Sequence, residues 1–352
     1  KMLFGVEDVP EELAIYVIDT TATIEEMEWA LRHYRGDRAI GKRFFDIKYD
    51  YDHYYHGKPK KVTQMGFNLP NIRQYGGVCA DQAYFAVAVG KSIGVPTAYT
   101  RGQSASVGHA WVGFFQARGR SGGWNFDYGR YEVYRGVEGE VRDPQTGQTL
   151  PDGFVSILAE LVGTDLADRA TAAAMTQAAV RIGELREADQ TLPALDQDYA
   201  GVRREPRTTS LDDQLTLLKA GLNESPGHAD GWLLVSALAK ADQLSLEQKK
   251  DWADTLDRMC GKSYPDFSLM ILEPMIKSVS DVDAQNTLWE KFFRRFTRRK
   301  DLAAKVRINQ GDLWRDQGDK QKAAVCYQDV INRFANAGPF VLTALDRLEQ
   351  ML

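Results

Sequence analysis

The stretch Gly76-Gly77-Val78-Cys79-Ala80-Asp81-Gln82-Ala83 decides how this chain is read. Paired glycines let the backbone turn through dihedrals that a Cβ would resist. A cysteine follows at once. After it come the small and apolar residues Ala83, Phe85, Ala86, Val87, Val89 and Ile93, the pattern of a buried helix. Gly94 and then Pro96 supply the stop, a glycine C-cap followed by a residue that cannot continue the helix. Cys79 therefore falls in the first turn of a buried helix, where unpaired N–H groups and the helix dipole favour thiolate over thiol. The thiolate is the form that attacks a carbonyl carbon.

A nucleophile needs a base, and the base needs an orienter. Further along, Val107-Gly108-His109-Ala110-Trp111-Val112-Gly113-Phe114-Phe115 reads as a mostly apolar strand, with His109, Trp111 and Gly113 on one face by the two-residue period. Beyond it, Gly123-Trp124-Asn125-Phe126-Asp127-Tyr128 places Trp124 and Phe126 on one face, Asn125 and Asp127 on the other. If the two strands pair, Asp127 can accept from one ring nitrogen of His109 and leave the other facing Cys79. Taken singly, these residues have plainer readings: a small buried hydrophobe, a core histidine, a turn or edge aspartate. Together and in this order they read as a nucleophile, a base and an orienter.

The order GGVCADQA, then a helix ending Ser92-Ile93-Gly94-Val95-Pro96, then GHAW, then WNFD resembles the transglutaminase-like branch of the papain-type thiol enzymes, over roughly residues 61–135. The resemblance implies a helix that opens on the cysteine and packs on an antiparallel sheet, with His and Asp on adjacent strands. It carries the nucleophile, base and orienter onto Cys79, His109 and Asp127. It implies no cofactor and no metal.

Such chemistry requires donors aimed at the developing oxyanion. The backbone N–H of Cys79 is one; Gln74 is the nearest side-chain candidate upstream, Gln64 the next, and either reads equally well as a solvated loop glutamine. Trp111 either walls the site or packs the core. Residues 44–56 are dense in aromatics and acids and read as an aromatic wall facing the substrate. His53 and His56, with Asp50 and Asp52, lack a helical metal-binding frame, and metal is not the expected use.

The chain has 352 residues, 43% hydrophobic and 26% charged, with net charge −5. That is ordinary for a soluble globular protein, long enough for two domains with their own cores. The charge gives no global reason to expect nucleic acid, and no apolar run approaches a membrane span. Cys79, Cys260 and Cys326 make no disulfide framework. The composition is compatible with the cytoplasm, or with export after loss of a signal peptide.

Residues 1–60 form a helical and aromatic extension, in which Thr23-Ile24-Glu25-Glu26 is a capping box. Residues 61–163 form the α+β core, its sheet finished by short strands and turns in 128–153. Residues 164–206 are a helix and a linker, the latter polar and marked by Pro193 and Pro206. Residues 207–352 are all-α. Gly311, Trp314, Gly318, Ala323 and Tyr327 stand at helix–turn–helix spacing, which resembles one tetratricopeptide repeat, and 229–256 looks like a weaker copy. That resemblance implies a helical-repeat domain that binds a protein partner. The basic run Lys291 to Lys300 reads as a solvated helix end or as a contact for an acidic partner.

The expected function is thiol-dependent acyl transfer on peptide or side-chain amide bonds of a protein or peptide substrate, with hydrolysis favoured over crosslinking. The alternative is a catalytically weak or inactive scaffold that acts as a binding module with its helical domain.

Overall fold

The computed structural model of the chain describes residues 9–103, 107–118, 121–135, 137–191, 210–335 and 339–351. The fold is α+β: a five-stranded antiparallel sheet of order β3-β2-β1-β4-β5, layered with helices and followed by a helical C-terminal region.

The sheet is built around β2 (Gly108–Arg118). Its apolar run is nearly continuous because both faces are covered, the usual cause of such a pattern. On one side β1 (Thr97–Gln103) sets Ala98 opposite Gly113, Thr100 opposite Trp111 and Gly102 opposite His109. On the other side β3 (Ser121–Asn125) ends with Asn125 opposite Phe114. The short strands β4 (Glu140–Arg142) and β5 (Thr149–Pro151) extend the sheet beyond β1.

Helix α6 (Cys79–Ser92) lies on one face of this sheet. Ala83, Ala86 and Val87 cluster with Ala110 and Val112 of β2, and Phe85 and Val89 cluster with Phe114. Gly94, at φ +80°, turns the chain out of the helix as its sequence position suggested. The other face of β2 presents Trp111, packed with Tyr16, Ala98, Phe126 and Tyr134. Phe126 lies against Gly113 so closely that any Cβ there would enter its ring. Trp124 stacks on Phe126 at 5.6 Å, on the shared face that their spacing implied.

Ahead of the sheet come α1 (Glu11–Ile18), α2 (Ile24–Tyr34), a 3-10 turn at Ile40–Asp46, α3 (Tyr51–His56), α4 (Lys61–Met65) and α5 (Leu69–Tyr75). The Thr23–Glu26 capping box is present. Glu26 also accepts from the backbone N–H of Leu69 at 2.8 Å, which ties α2 to α5 across a buried contact. After β5, α7 (Asp152–Ile157) and a 3-10 turn at Leu158–Gly163 lead into the helical region.

That region holds α8 (Leu166–Thr191), α9 (Leu211–Glu224), α10 (Ala229–Lys240), α11 (Leu246–Leu256), α12 (Pro265–Lys277), α13 (Val282–Arg295), α14 (Lys300–Asp316), α15 (Lys320–Arg333) and α16 (Pro339–Glu349). The expected linker at 188–210, and with it the boundary at 206/207, falls largely outside the described residues. Gly318, at φ +79°, makes the turn between α14 and α15, and Gly311 gives Tyr327 room. One apolar cluster runs from Leu13 and Phe115 through Ile157 and Trp232 to Ala344, so the helical region shares its core with the sheet's far face.

The basic run at the end of α13 is engaged within the chain. Lys291 pairs with Asp254, Arg294 with Glu290, Arg295 with Asp257, and Arg299 with Asp266 and Asp301. Phe292, Phe293 and Phe296 between them are buried. Among the described residues no helix is long and apolar enough to cross a membrane.

Candidate active site around Cys79 and His109

Cys79 is the first residue of α6, with Val78 as N-cap, and is partly exposed. Two glycines and an aspartate hold it there. Gly76, at φ +81°, passes directly beneath the carbonyl of Lys48, where a side chain would collide. Gly77 bridges Tyr49: its N–H donates to Lys48 O at 3.0 Å, and its carbonyl accepts from Asp50 N at 3.0 Å. Asp81 reaches back to accept from Val78 N–H at 2.8 Å, and its carboxylate also takes Lys60 Nζ at 2.9 and 3.0 Å. Sequence reasoning missed Asp81 and Lys60. The available signal was an acid at the third position of the helix, where it can cap the backbone ahead of Cys79.

His109 is 7% exposed. Its Nε2 lies 2.6 Å from the carbonyl oxygen of Gly129. A carbonyl only accepts, so Nε2 carries the hydrogen and the neutral ring keeps a bare lone pair on Nδ1. Tyr131 stacks on the imidazole at 4.5 Å and Tyr134 lies at 4.7 Å. Burial holds the His109 pKa below its ordinary value, and the Gly129 bond only partly opposes this.

Tyr131 joins the two residues. Its ring lies on His109, and its phenol pKa is raised by burial and then by negative charge on Cys79. Phe44 does the same from below, packing in the cluster that includes Cys79 with its ring 6.4 Å from His109. Tyr49 and Tyr99 also sense Cys79: burial first, and then the thiolate charge, raise both phenols, Tyr99 to about 12. Charge on Cys79 thus bears on three phenols. Beside them Tyr51, Tyr54 and Tyr55 of α3 stand exposed, linked ring to ring with Tyr49, as an aromatic wall at this end of α6. The polar residues of that segment are used locally. Asp50 caps His53 N–H, His53 Nδ1 lies 2.7 Å from Lys58 O, and Asp52 pairs with Lys58.

Asp127 is not brought to His109. Strand β3 ends at Asn125, whose Oδ1 accepts from Asp127 N–H at 2.9 Å, and Asp127 O accepts from Arg130 N–H at 3.2 Å. That turn points the Asp127 carboxylate outward, 68% exposed and 4.0 Å from Arg135. In the register that sets Asn125 opposite Phe114, two further residues of pairing would bring Asp127 opposite Val112 rather than His109, and the Gly129 carbonyl stands beside the imidazole. Gln74 is exposed on α5 and Gln64 is exposed on α4. Gln82, inside α6, is buried, and its amide donates to Ile47 O at 2.8 Å. Trp111 shares the His109 face, with ring centres 6.0 Å apart, but is wholly buried and carries the Arg130 guanidinium on its ring at 5.0 Å.

No family model, no curated protein and no solved structure matches the chain.

Proposed function

We propose that the protein is a thiol-dependent acyl-transfer enzyme of transglutaminase-like type, acting on amide bonds of a peptide or protein, with water as the favoured acceptor. Cys79 attacks the carbonyl carbon. His109 takes the thiol proton on Nδ1 and returns it to the leaving amine, and the Gly129 carbonyl holds the ring in the required tautomer. The thioester is then resolved by water. The backbone N–H groups that open α6 are the donors available to the oxyanion. The observation that carries this is the aromatic surroundings of the two residues: Phe44 packs in the cluster that includes Cys79 with its ring 6.4 Å from His109, and Tyr131 stacks on the imidazole. The order of cysteine helix, histidine strand and antiparallel sheet supports the same reading.

The helical region is proposed to act as a tetratricopeptide-like scaffold for a protein segment. The α14–Gly318–α15 hairpin, with Gly311 against Tyr327, supports this.

One observation favours the second reading, a scaffold with little or no turnover. His109 has a neutral carbonyl where a carboxylate would better support the imidazolium. The deciding experiment is the pH dependence of iodoacetamide alkylation of each cysteine, in the parent and in His109→Ala. Cys260 and Cys326 are internal controls, since burial pushes their thiols up to about 12 and about 11. An acyl-transfer enzyme shows Cys79 reacting well below the pH at which the controls react, and His109→Ala removes much of that advantage. If Cys79 behaves like the controls, the scaffold reading takes its place.

A further inference from the structure

Arg130 follows directly on the residue that holds His109, and each of its three side-chain nitrogens has a partner. Its Nε donates to Tyr134 O at 3.0 Å, one terminal nitrogen donates to Val137 O, and the other meets Asp152 Oδ2 at 3.1 Å. Its guanidinium plane covers the Trp111 ring. The side chain is only 12% exposed. One residue therefore gathers the segment that supplies three neighbours of the imidazole: the Gly129 carbonyl, the Tyr131 ring and the Tyr134 ring.

Asp152 is the anchor. It opens α7, its own N–H donates to Gly139 O at 2.7 Å, and it is buried. Burial lifts its carboxyl to about 7 although Arg130 pulls the other way, with Asp266 and Glu138 adding to the rise. A buried acid held at that cost, without contact to the thiol, needs a reason. The next residue, Gly153, lies 3.2 Å (measured from an added Cβ) from the backbone of Asp266 and Phe267 on α12, so the anchor stands where the sheet meets the helical region.

We propose that Arg130, anchored by Asp152, is the positioning residue of the His109 site, fixing the imidazole's tautomer and its place between Tyr131 and Tyr134. The chemistry it serves is the acyl transfer proposed above, and the inference rests on that reading for its purpose. The hold itself can be tested separately. Without Arg130 the buried carbonyls of Tyr134 and Val137 lose their donor, the Gly129–Tyr134 turn loosens, and His109 gains both water and the choice of either tautomer.

The test compares the parent with Arg130→Gln and Arg130→Lys, each first shown to be folded by circular dichroism. Nitrogen-15 NMR of the imidazole gives the tautomer and titration of His109. p-Nitrophenyl acetate serves as the acylation probe for Cys79. In the parent, His109 is held as the Nε2–H form and titrates below the ordinary histidine value. In Arg130→Gln the ring shows mixed tautomers, its titration moves up toward the ordinary value of about 6.5, and acylation falls on the order of 10- to 100-fold. Arg130→Lys, which keeps the charge but not the fork, lies between. A folded Arg130→Gln that keeps the parental tautomer and titration overturns the proposal. If that variant does not fold, parental behaviour in Arg130→Lys overturns it instead. Should parental Cys79 resist both iodoacetamide and the ester, the acyl-transfer reading fails, and the imidazole spectra still decide whether Arg130 positions His109.

Discussion

His109 gives its Nε2 hydrogen to the carbonyl oxygen of Gly129 at 2.6 Å, and this pairing governs how the imidazole can behave. A carbonyl orients the ring as well as a carboxylate does, but it brings no negative charge to stabilise the imidazolium. Burial therefore prevails and lowers the His109 pKa.

The first prediction concerns pH. The neutral base persists below the usual histidine range, so the acidic limb of Cys79 acylation lies below about pH 6.5. The linkage has the matching sign. Between the depressed folded value and the ordinary unfolded one, the unfolded chain binds more protons, so the stability contributed by His109 is lost as pH falls through that window. A pH–rate profile of p-nitrophenyl acetate turnover locates the limb. A limb above about 7 would mean that a charged partner reaches the ring in solution.

Asp127 is the second test. With its carboxylate 68% exposed and no bond to His109, Asp127→Asn is expected to leave Cys79 alkylation within about twofold and stability within about 0.5 kcal/mol. Alkylation kinetics and urea unfolding measure both. A tenfold loss of reactivity with normal stability would restore Asp127 as the orienter, through a turn at 125–130 that rearranges when substrate binds.

The third prediction is a pH-dependent stability difference. Asp152 has a folded pKa of about 7, far above its ordinary value. The native state then binds the extra proton, so the contribution of Asp152 to stability is full below the unfolded pKa and is lost as pH rises through about 7. Asp152→Asn lacks this loss. Relative to the parent, its stability should improve between pH 5 and pH 8, by on the order of 1 kcal/mol per pH unit at most. Paired urea titrations at the two pH values check the sign. A difference that does not change with pH would mean that Arg130 keeps Asp152 ionised throughout.

In the helical region, Gly311 and Gly318 separate two physical effects. A Cβ at Gly311 would sit 2.5 Å from the Tyr327 ring, whose hydroxyl is fixed on Asp312 at 2.8 Å. Gly311→Ala should cost about 1–3 kcal/mol through overpacking. Gly318 has open space around it but a φ of +79°, so Gly318→Ala should cost about 1 kcal/mol from backbone strain alone. Chemical denaturation of the two variants tests the order. Equal costs would show that the Tyr327 contact yields easily.

Much of this was legible in the sequence because it is local. The glycine pair, the apolar run after Cys79 and the Gly94–Pro96 stop specify α6 through neighbours in the chain, as do the Thr23–Glu26 cap and the Gly318 turn. The two-residue period set His109 with Trp111 on one face of β2, and Trp124 with Phe126 on one face of the segment beside it, since alternation follows from backbone geometry alone. Which atom meets the imidazole is a different kind of fact. It depends on the register of β3, which runs Asp127 toward Val112, and on the turn after Asn125, whose side chain binds its own backbone two residues on. The same holds for Arg130, Asp152, Asp81 and Lys60. Each is an ordinary charged residue in the sequence and acquires its place only when distant segments meet in a buried environment, where an ionic or hydrogen-bonding group must find a partner. Periodicity and caps determined the elements of this protein, and tertiary packing decided that a backbone carbonyl, rather than Asp127, stands beside His109.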